Sequence, residues 1–322
     1  MFAERLTLTS LLLTTAARGV PFFRLEQHRR ERMFQRAGIH AFHAELPNGR
    51  VRYWAGGPTD ARPLLMVHGF GGDALFGWYT QGEFSKDRFI LVPDLLWFGD
   101  SVGAVPDCSP EYQAETLMQL MDHLGVREFD VAGISYGGFV ALGIADRFPD
   151  RVGKLVIVDS PGHVYTLDDY HAMLDRIGLD SITEMVVPDD MRGVKRLMKL
   201  AYHRPPPVPS FVARDVYANL FVQHKAEKVR LLDNLIARAD PARRPDYNPT
   251  QPTLIVWGEH DILFPLALAH RLADAIGPLA QVHVVPSANH APNMERPENF
   301  NRAVRAFLAQ PGRTARLASV AK

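Results

Sequence analysis

Residues 133–137, with the sequence Gly133-Ile134-Ser135-Tyr136-Gly137, form the turn that decides the fold. They follow an apolar run at residues 129–132 that is typical of a strand, and they open a pattern of helical spacing. A serine in a tight strand-to-helix turn is held in strained backbone geometry, and flanking glycines remove side chains that would clash there. Its hydroxyl then lies above the sheet at a helix N-terminus, where negative charge is favoured. The sequence therefore predicts that Ser135 is a nucleophile, with a plain glycine-rich turn as the alternative.

A second glycine-rich turn, His68-Gly69-Phe70-Gly71-Gly72, follows the strand pattern at residues 64–67. We expect the backbone N–H of Phe70 to point to the same edge of the sheet. Together with the N–H of Tyr136 it would form an oxyanion hole, in which one donor is worth about 10²–10³ in rate. The alternative is a turn that only bends the backbone. His68 is interpreted as structural, because it lies at a strand end and would support the loop.

A serine hydroxyl is a weak nucleophile without a base, and His290 is the candidate among 13 histidines. It lies in Ser287-Ala288-Asn289-His290-Ala291, just after the last strand pattern at residues 282–285 and therefore at the same sheet edge. The alternative is an ordinary surface histidine. The sequence predicts that His290 accepts the proton of Ser135.

The acid should lie between nucleophile and base in chain order. Asp261 closes the stretch Trp257-Gly258-Glu259-His260-Asp261, which follows the strand pattern at residues 253–256. It would hold the imidazole in the required tautomer without being protonated itself. Asp159, at the end of the preceding strand pattern, is the fallback acid. Asp94 is interpreted as structural.

Short β-branched runs alternate with longer helical patterns from residue 39 onward, which is typical of βαβ units around a mostly parallel sheet. Between residues 159 and 251 no strand pattern occurs, and several helical patterns are separated by proline-rich breaks. An insertion of this length is too long for a loop, and it would lie over the carboxyl edge of the sheet. We predict an α/β fold with a mostly parallel eight-stranded sheet flanked by helices, and a helical lid inserted after the sixth strand. The predicted units are residues 1–38 (amphipathic helices), 39–160 and 248–312 (core), 161–247 (lid) and 313–322 (tail).

Charge and cysteine content exclude several classes of function. Lys plus Arg and Asp plus Glu both number 36, so no basic excess favours nucleic acid binding. Cys108 is the only cysteine, which excludes an intramolecular disulfide and structural zinc built on cysteine clusters.

The N-terminal residues contain two predicted amphipathic helices, at residues 6–17 and 20–35. The first apolar run is far shorter than the roughly 20 residues of a membrane span. We expect both helices to pack on the domain of a cytoplasmic protein. Peripheral membrane contact, which suits their aromatic and basic residues, and a signal peptide are the alternatives.

Five motifs in order, HGFGG, PDLLWFGDS, GISYGG, WGEHD and NHAPNMERP, resemble the α/β-hydrolase superfamily over about residues 39–310. Within it the chain is similar to the monoacylglycerol lipase and bacterial lipase branch. The resemblance implies an α/β-hydrolase fold, a triad of Ser135, Asp261 and His290, and an oxyanion hole at Phe70 and Tyr136. One position departs from the pattern, since Asn289 stands where glycine is common. Asparagine tolerates left-handed backbone angles, so we expect the turn to survive.

The predicted reaction is the hydrolysis of a carboxylic ester through an acyl-enzyme on Ser135, without a metal or organic cofactor. A small-molecule ester, such as a monoacylglycerol or a comparable lipid-like ester, is the expected substrate. The apolar residues Met185-Val186-Val187, Leu197-Met198 and Phe211-Val212 either form the lid's own core or line an apolar pocket. The rival functions are a hydrolase of carbon–carbon bonds in ring-cleavage products, a small-molecule receptor of the same fold and, as a weaker alternative, cofactor-free perhydrolysis.

Overall fold

The computed structural model describes residues 21–105 and 107–311. Within these residues one sheet contains nine strands: β1 (His40–Leu46), β2 (Gly49–Gly56), β3 (Pro63–Val67), β4 (Phe89–Pro93), β5 (Val102–Gly103), β6 (Phe129–Ile134), β7 (Val152–Val158), β8 (Thr253–Gly258) and β9 (Ala280–Val285). Their order in the sheet is β1-β2-β4-β3-β6-β7-β8-β9, with β5 paired to β2. Every pair of neighbours from β4 to β9 in this order is parallel, whereas β2 pairs antiparallel with β1, β4 and β5.

The strand count corrects the prediction of eight. Eight strands form the main path of the sheet, and the ninth is β5, which pairs only with Gly49 and Arg50 at the start of β2. A strand of two residues is too short to show an alternating pattern in the sequence. The helical insertion therefore follows the seventh strand in chain order, β7, rather than the sixth.

The helices pack on both faces of the sheet and above its carboxyl edge. They are α1 (Phe22–Arg36), α2 (Ala74–Trp78), α3 (Pro110–His123), α4 (Tyr136–Arg147), α5 (Leu167–Ile177), α6 (Thr183–Val186), α7 (Met191–Ala201), α8 (Ser210–Leu220), α9 (Lys225–Ala237), α10 (Ala267–Ile276), α11 (Pro292–Glu295) and α12 (Pro297–Leu308). Two 3₁₀ segments, Tyr79–Lys86 and Gly162–Val164, complete the set.

The central strands are covered on both faces, as their continuous apolar sequences indicate. Every residue of β6 and β8 is buried. Two apolar cores lie on opposite faces of the sheet, one around Leu65 and Val131 and the other around Met66 and Ala132. Since side chains alternate along a strand, neighbouring residues of β3 and β6 enter different cores. This packing fixes the strand ends, and therefore the loops that carry the polar residues at the carboxyl edge.

The insertion between β7 and β8 is helical. It contains α5 to α9, and no strand interrupts residues 159–252, all of which are described. Its two small apolar clusters are centred on Met173 with Met185 and on Val194 with Phe221. The insertion thus carries apolar packing of its own above the sheet.

Helix α1 packs on the core. Its range, residues 22–36, nearly coincides with the helix predicted at residues 20–35. Phe34 is fully buried, and Phe22 and Phe23 are nearly so. Of the other terminal predictions, the helix at residues 6–17 and the tail at residues 313–322 lie outside the described residues. Among the residues that are described, no helix is both long and apolar enough to cross a membrane. Peripheral membrane contact stays a prediction.

Candidate active site

The turn at Ser135 has the strained geometry that its sequence predicts. Ser135 is the residue before α4 and adopts φ 52° and ψ −119°, a region that L residues rarely occupy. A Cβ added at Gly137 would lie 2.3 Å from the carbonyl oxygen of Val67, so this position requires glycine. The Ser135 N–H donates to Val158 O at 2.9 Å, which fixes the turn between β6 and β7.

The structure brings Ser135, His290 and Asp261 together although up to 155 residues separate them in sequence. His290 Nε2 lies 2.9 Å from Ser135 Oγ, and His290 Nδ1 lies 2.8 Å from Asp261 Oδ2. A neutral imidazole that donates its Nδ1–H to the carboxylate leaves the Nε2 lone pair free for the serine proton. The distances are therefore those of a base held between a nucleophile and an acid.

The side chain of Asp261 is held in place by three contacts. Its Oδ2 faces His290, and its Oδ1 accepts the N–H groups of Leu263 at 2.8 Å and Phe264 at 3.0 Å. The residue is only 6% exposed. A buried carboxylate with this many donors keeps a fixed orientation, which in turn fixes the ring of His290.

Asp159, the fallback acid, does not contact the histidine. Its Oδ1 accepts the Gly258 N–H at 2.8 Å. Complete burial raises its pKa well above the ordinary range, and the neighbouring charge of Asp261 raises the pKa further. Asp159 therefore bonds to the backbone of β8, and no hydrogen bond joins it to the imidazole in the described part of the chain.

The glycine-rich loop after β3 lies against the nucleophile. A Cβ added at Gly69 would approach Ser135 Cβ to 3.0 Å. The ring of Phe70 packs edge-on against that of Tyr136, with centroids 4.9 Å apart. Tyr136 is the first residue of α4, so its N–H has no partner within the helix. Both backbone segments predicted to stabilise an oxyanion thus flank Ser135.

His68 makes the structural contacts expected of it. Its Nε2 accepts the Leu95 N–H at 3.0 Å, and its Nδ1 lies 2.8 Å from Gly69 O and donates to it. Because a ring nitrogen that accepts from an N–H carries no proton, the ring is neutral. Burial lowers its pKa to about 4.

Arg52 is a supporting residue that the sequence analysis missed. Its guanidinium contacts Asp94 at 2.6 Å, Asp100 at 2.7 Å and Asp73 at 3.1 Å. Asp94 also accepts the Ala74 N–H at 2.9 Å, which fits the structural role predicted for it. Since Asp73 caps α2, this cluster anchors the loop that carries Phe70. No motif marks Arg52, because its partners come from distant parts of the chain.

A cavity of about 330 Å³ opens at Ser135 and His290, and its lining is mainly apolar. The apolar residues of the insertion were predicted either to line a pocket or to form a separate core, and most of them line the cavity. Val187 is buried away from the cavity and Phe211 is 46% exposed, whereas five of the residues line it: Met185, Val186, Leu197, Met198 and Val212.

Helix α1 forms another part of this wall, which the sequence analysis did not foresee. Phe22, Glu26 and Arg30 line the cavity. Glu26 accepts from Arg29 at 2.6 Å and from Arg30 at 2.7 Å. The ring of Phe23 stacks on Phe76 of α2, the helix that follows the glycine-rich loop. Within residues 21–105 and 107–311, no group of three His, Cys, Asp or Glu side chains could hold a metal ion.

Comparison with known proteins agrees with the fold. The model of the alpha/beta hydrolase family matches residues 64–303. Curated relatives include a dihydrolipoyllysine-residue acetyltransferase component of an acetoin cleaving system from Pseudomonas putida, 29% identical over 82% of this chain and 68% of its own length. A 2-hydroxymuconate semialdehyde hydrolase from Pseudomonas putida is 29% identical over 77% of this chain and 87% of its own. Lipase 3 from a Moraxella species is 27% identical over 76% of each chain.

A solved structure extends the similarity to nearly the whole chain. The crystal structure of a membrane phospholipase A, described as a bacterial virulence factor, has a TM-score of 0.73 and 25% identity. The match covers 95% of this chain and 98% of the other. The family model alone spans most of the sheet and the whole insertion. This chain belongs to the alpha/beta hydrolase family.

Proposed function

We propose that the protein is a serine hydrolase that cleaves carboxylic esters through an acyl-enzyme on Ser135. The observation that carries the proposal is the position of the His290 ring, 2.9 Å from Ser135 Oγ and 2.8 Å from Asp261 Oδ2. Lipase and hydrolase relatives of the same family support it.

The reaction follows from this arrangement. Ser135 Oγ attacks the ester carbonyl carbon while His290 Nε2 takes the hydroxyl proton, and the oxyanion receives the N–H groups of Phe70 and Tyr136. The C–O bond to the alcohol breaks, and His290 returns the proton to the leaving oxygen. A water molecule then gives a proton to His290 and attacks the acyl carbon. The bond between the acyl carbon and Ser135 Oγ breaks, and His290 returns the proton to Oγ, which frees the carboxylic acid and restores Ser135.

A lipid-like ester, such as a monoacylglycerol, suits the cavity. Most of its lining is apolar, and methionine, leucine and valine side chains of the insertion face it. An acyl chain leaves water for such a pocket with a gain of about 0.8 kcal/mol per methylene group. The lipase relative and the phospholipase structure point to the same class of substrate.

The test is the hydrolysis of p-nitrophenyl esters of increasing acyl length. Wild type is expected to hydrolyse them, and Ser135→Ala or His290→Ala to lose about 10³-fold or more in kcat. Ser85→Ala serves as the control, since this buried serine bonds only to Ala37 O, remote from the cavity. Equal rates for wild type and Ser135→Ala would end the proposal.

The second candidate is the hydrolysis of a carbon–carbon bond, which the 2-hydroxymuconate semialdehyde hydrolase relative supports. The same nucleophile and base would serve a vinylogous diketone acid. Rapid turnover of such an acid, with no activity on simple esters, would favour this candidate. A receptor of the same fold would instead bind a ligand tightly and turn over far less than once per minute.

A further inference from the structure

The loop that carries His290 is bonded directly to the helical insertion. The backbone N–H of His290 donates to Ala201 O, the last residue of α7, at 3.1 Å. The side chain of Asn289 donates from Nδ2 to Leu200 O at 2.8 Å. The last carbonyl groups of a helix have no partner inside it. Two C-terminal carbonyl groups of α7, those of Ala201 and Leu200, therefore accept hydrogen bonds from His290 and Asn289.

Asn289 also reaches the loop that carries the acid. Its Oδ1 accepts the N–H of Ile262, the residue after Asp261, at 3.1 Å. The side chain is 4% exposed and uses both its donor and its acceptor on main-chain groups. One asparagine thus joins the acid loop, the base loop and the C-terminal end of α7.

Glu295 makes the second connection. Its Oε1 accepts the Asn289 N–H and its Oε2 accepts the His203 N–H, both at 2.7 Å. Burial raises the pKa of this carboxyl, and the hydrogen bonds from the backbone of Asn289 and His203 oppose the rise. A single carboxylate therefore holds the histidine loop and the chain just beyond α7 at a fixed separation.

We propose that Asn289 and Glu295 are positioning residues that clamp residues 200–204 of the insertion to the histidine loop, so that the insertion sets the place of the His290 ring. The effect of this clamp on turnover rests on the proposed function, because it requires His290 to act as the base. The docking of the two segments does not depend on that function. A glycine at position 289, common in this superfamily, would provide neither side-chain bond.

The test compares two matched substitutions in the full-length chain, Asn289→Ala and Asn301→Ala. Asn301 is equally buried, 4% exposed, and also donates Nδ2 to a main-chain carbonyl, that of Thr80, away from the cavity. Hydrogen exchange is measured by mass spectrometry on peptides that cover residues 198–205 and 287–295. Asn289→Ala is expected to speed exchange in both segments together, roughly five- to tenfold for a lost buried hydrogen bond. Asn301→Ala should leave residues 198–205 unchanged. That peptide decides the comparison, because Gln81 Nε2 donates both to Asn301 Oδ1 and to Asn293 O, which lies within residues 287–295.

The second readout is the reactivity of Ser135 toward a fluorophosphonate, with kcat and KM on a short-chain ester beside it. Asn289→Ala is expected to slow labelling and to lower kcat by about 10- to 100-fold, because small displacements of a base are costly. KM should stay within about twofold of wild type. Glu295→Gln keeps one acceptor oxygen and should change both readouts in the same direction but less.

Two results would overturn the clamp: unchanged exchange at residues 198–205 in Asn289→Ala, or equal loss of labelling in Asn289→Ala and Asn301→Ala. If the proposed function is wrong, the two readouts give a different combination of results. In that case wild type hydrolyses no ester, while exchange still reports whether Asn289 holds the two segments together.

Discussion

The contacts of His68 make the stability of the glycine-rich loop after β3 depend on pH, although this side chain does not line the cavity. In the folded protein its pKa is lowered to about 4 by burial, against 6.5 for an unperturbed histidine. Between these values the unfolded chain binds a proton that the folded chain does not, so the free energy of unfolding falls as pH decreases. The loss begins below pH 6.5 and is complete near pH 4, and it amounts to about 3 kcal/mol at most.

Urea unfolding of wild type and His68→Gln at several pH values measures this loss. The variant should be less stable at pH 7, because glutamine cannot reproduce both ring contacts. Its stability should nevertheless decline less steeply than that of wild type between pH 6.5 and 4. Parallel declines would show that other groups cause the acid sensitivity.

Residue 289 shows where residue type alone misleads. The sequence analysis expected asparagine to be tolerated there for a left-handed backbone. Among the described non-glycine residues with positive φ, the one in this loop is Ser287, at 54°, and Asn289 is not among them. The side chain, rather than the backbone angle, explains the asparagine, because its two hydrogen bonds reach Leu200 and Ile262. Such partners lie far away in sequence and leave no local pattern.

At the scale of elements, α7 and α8 both contribute side chains to the wall of the cavity. Met198 on α7 lines it, whereas Phe211 on α8 is 46% exposed and does not. Met198→Trp should therefore lower kcat/KM for long acyl chains by about tenfold or more, since overpacking a pocket costs roughly 1–3 kcal/mol. Short-chain esters should be affected less.

Phe211→Trp is the control for that substitution, since it adds similar bulk on the solvent side of the insertion. It should leave the chain-length profile of wild type unchanged. A profile that shifts equally in both variants would mean that α7 does not limit the acyl site.

The elements that the sequence predicted are those whose environment is uniform along their length. The central strands β6, β7 and β8 are continuous apolar runs because both faces are covered. Strand β5, with two residues, and the cavity-lining face of α1 could not be predicted in this way. The aromatic and charged residues of α1 would suit a core, a membrane surface or a pocket equally well. Their sequence pattern does not predict that some of them line the cavity, because this depends on tertiary contacts.

At the scale of the whole molecule, α1 is an integral part of the fold although it precedes the residues that the family model matches. Phe34 is fully buried and packs edge-on against Trp54 of β2 at 5.5 Å. Phe34→Ala is expected to lower the free energy of unfolding by about 3–5 kcal/mol. Thermal or urea unfolding measures the change.

Phe42→Ala removes the same side chain at a site that is 46% exposed, on β1. Because the Phe42 ring stacks on Tyr53 across the strand pair, the loss of stability should be no more than about 1 kcal/mol. If both variants lost equal stability, α1 would not belong to the cooperative core.

The order of nucleophile, acid and base along the chain could be predicted because the topology of a parallel sheet brings all strand ends to one edge. That rule placed Ser135, Asp261 and His290 after β6, β8 and β9, where the structure finds them. It says nothing about Arg52 or Glu295, whose roles depend on which distant backbone groups they meet. Topology therefore predicts which loops carry the proposed nucleophile, acid and base. The residues that support those loops depend on tertiary packing and cannot be predicted in the same way.

Cys108, the chain's single cysteine, is only 3% exposed, and burial raises the pKa of its thiol. Thiol reagents attack the thiolate, so maleimide dyes should leave the native protein almost unlabelled. A cysteine introduced at exposed Phe211 could then carry a fluorophore as the dominant label, without first removing the natural thiol. Emission from that dye during turnover would report changes in the surroundings of α8 as the insertion moves.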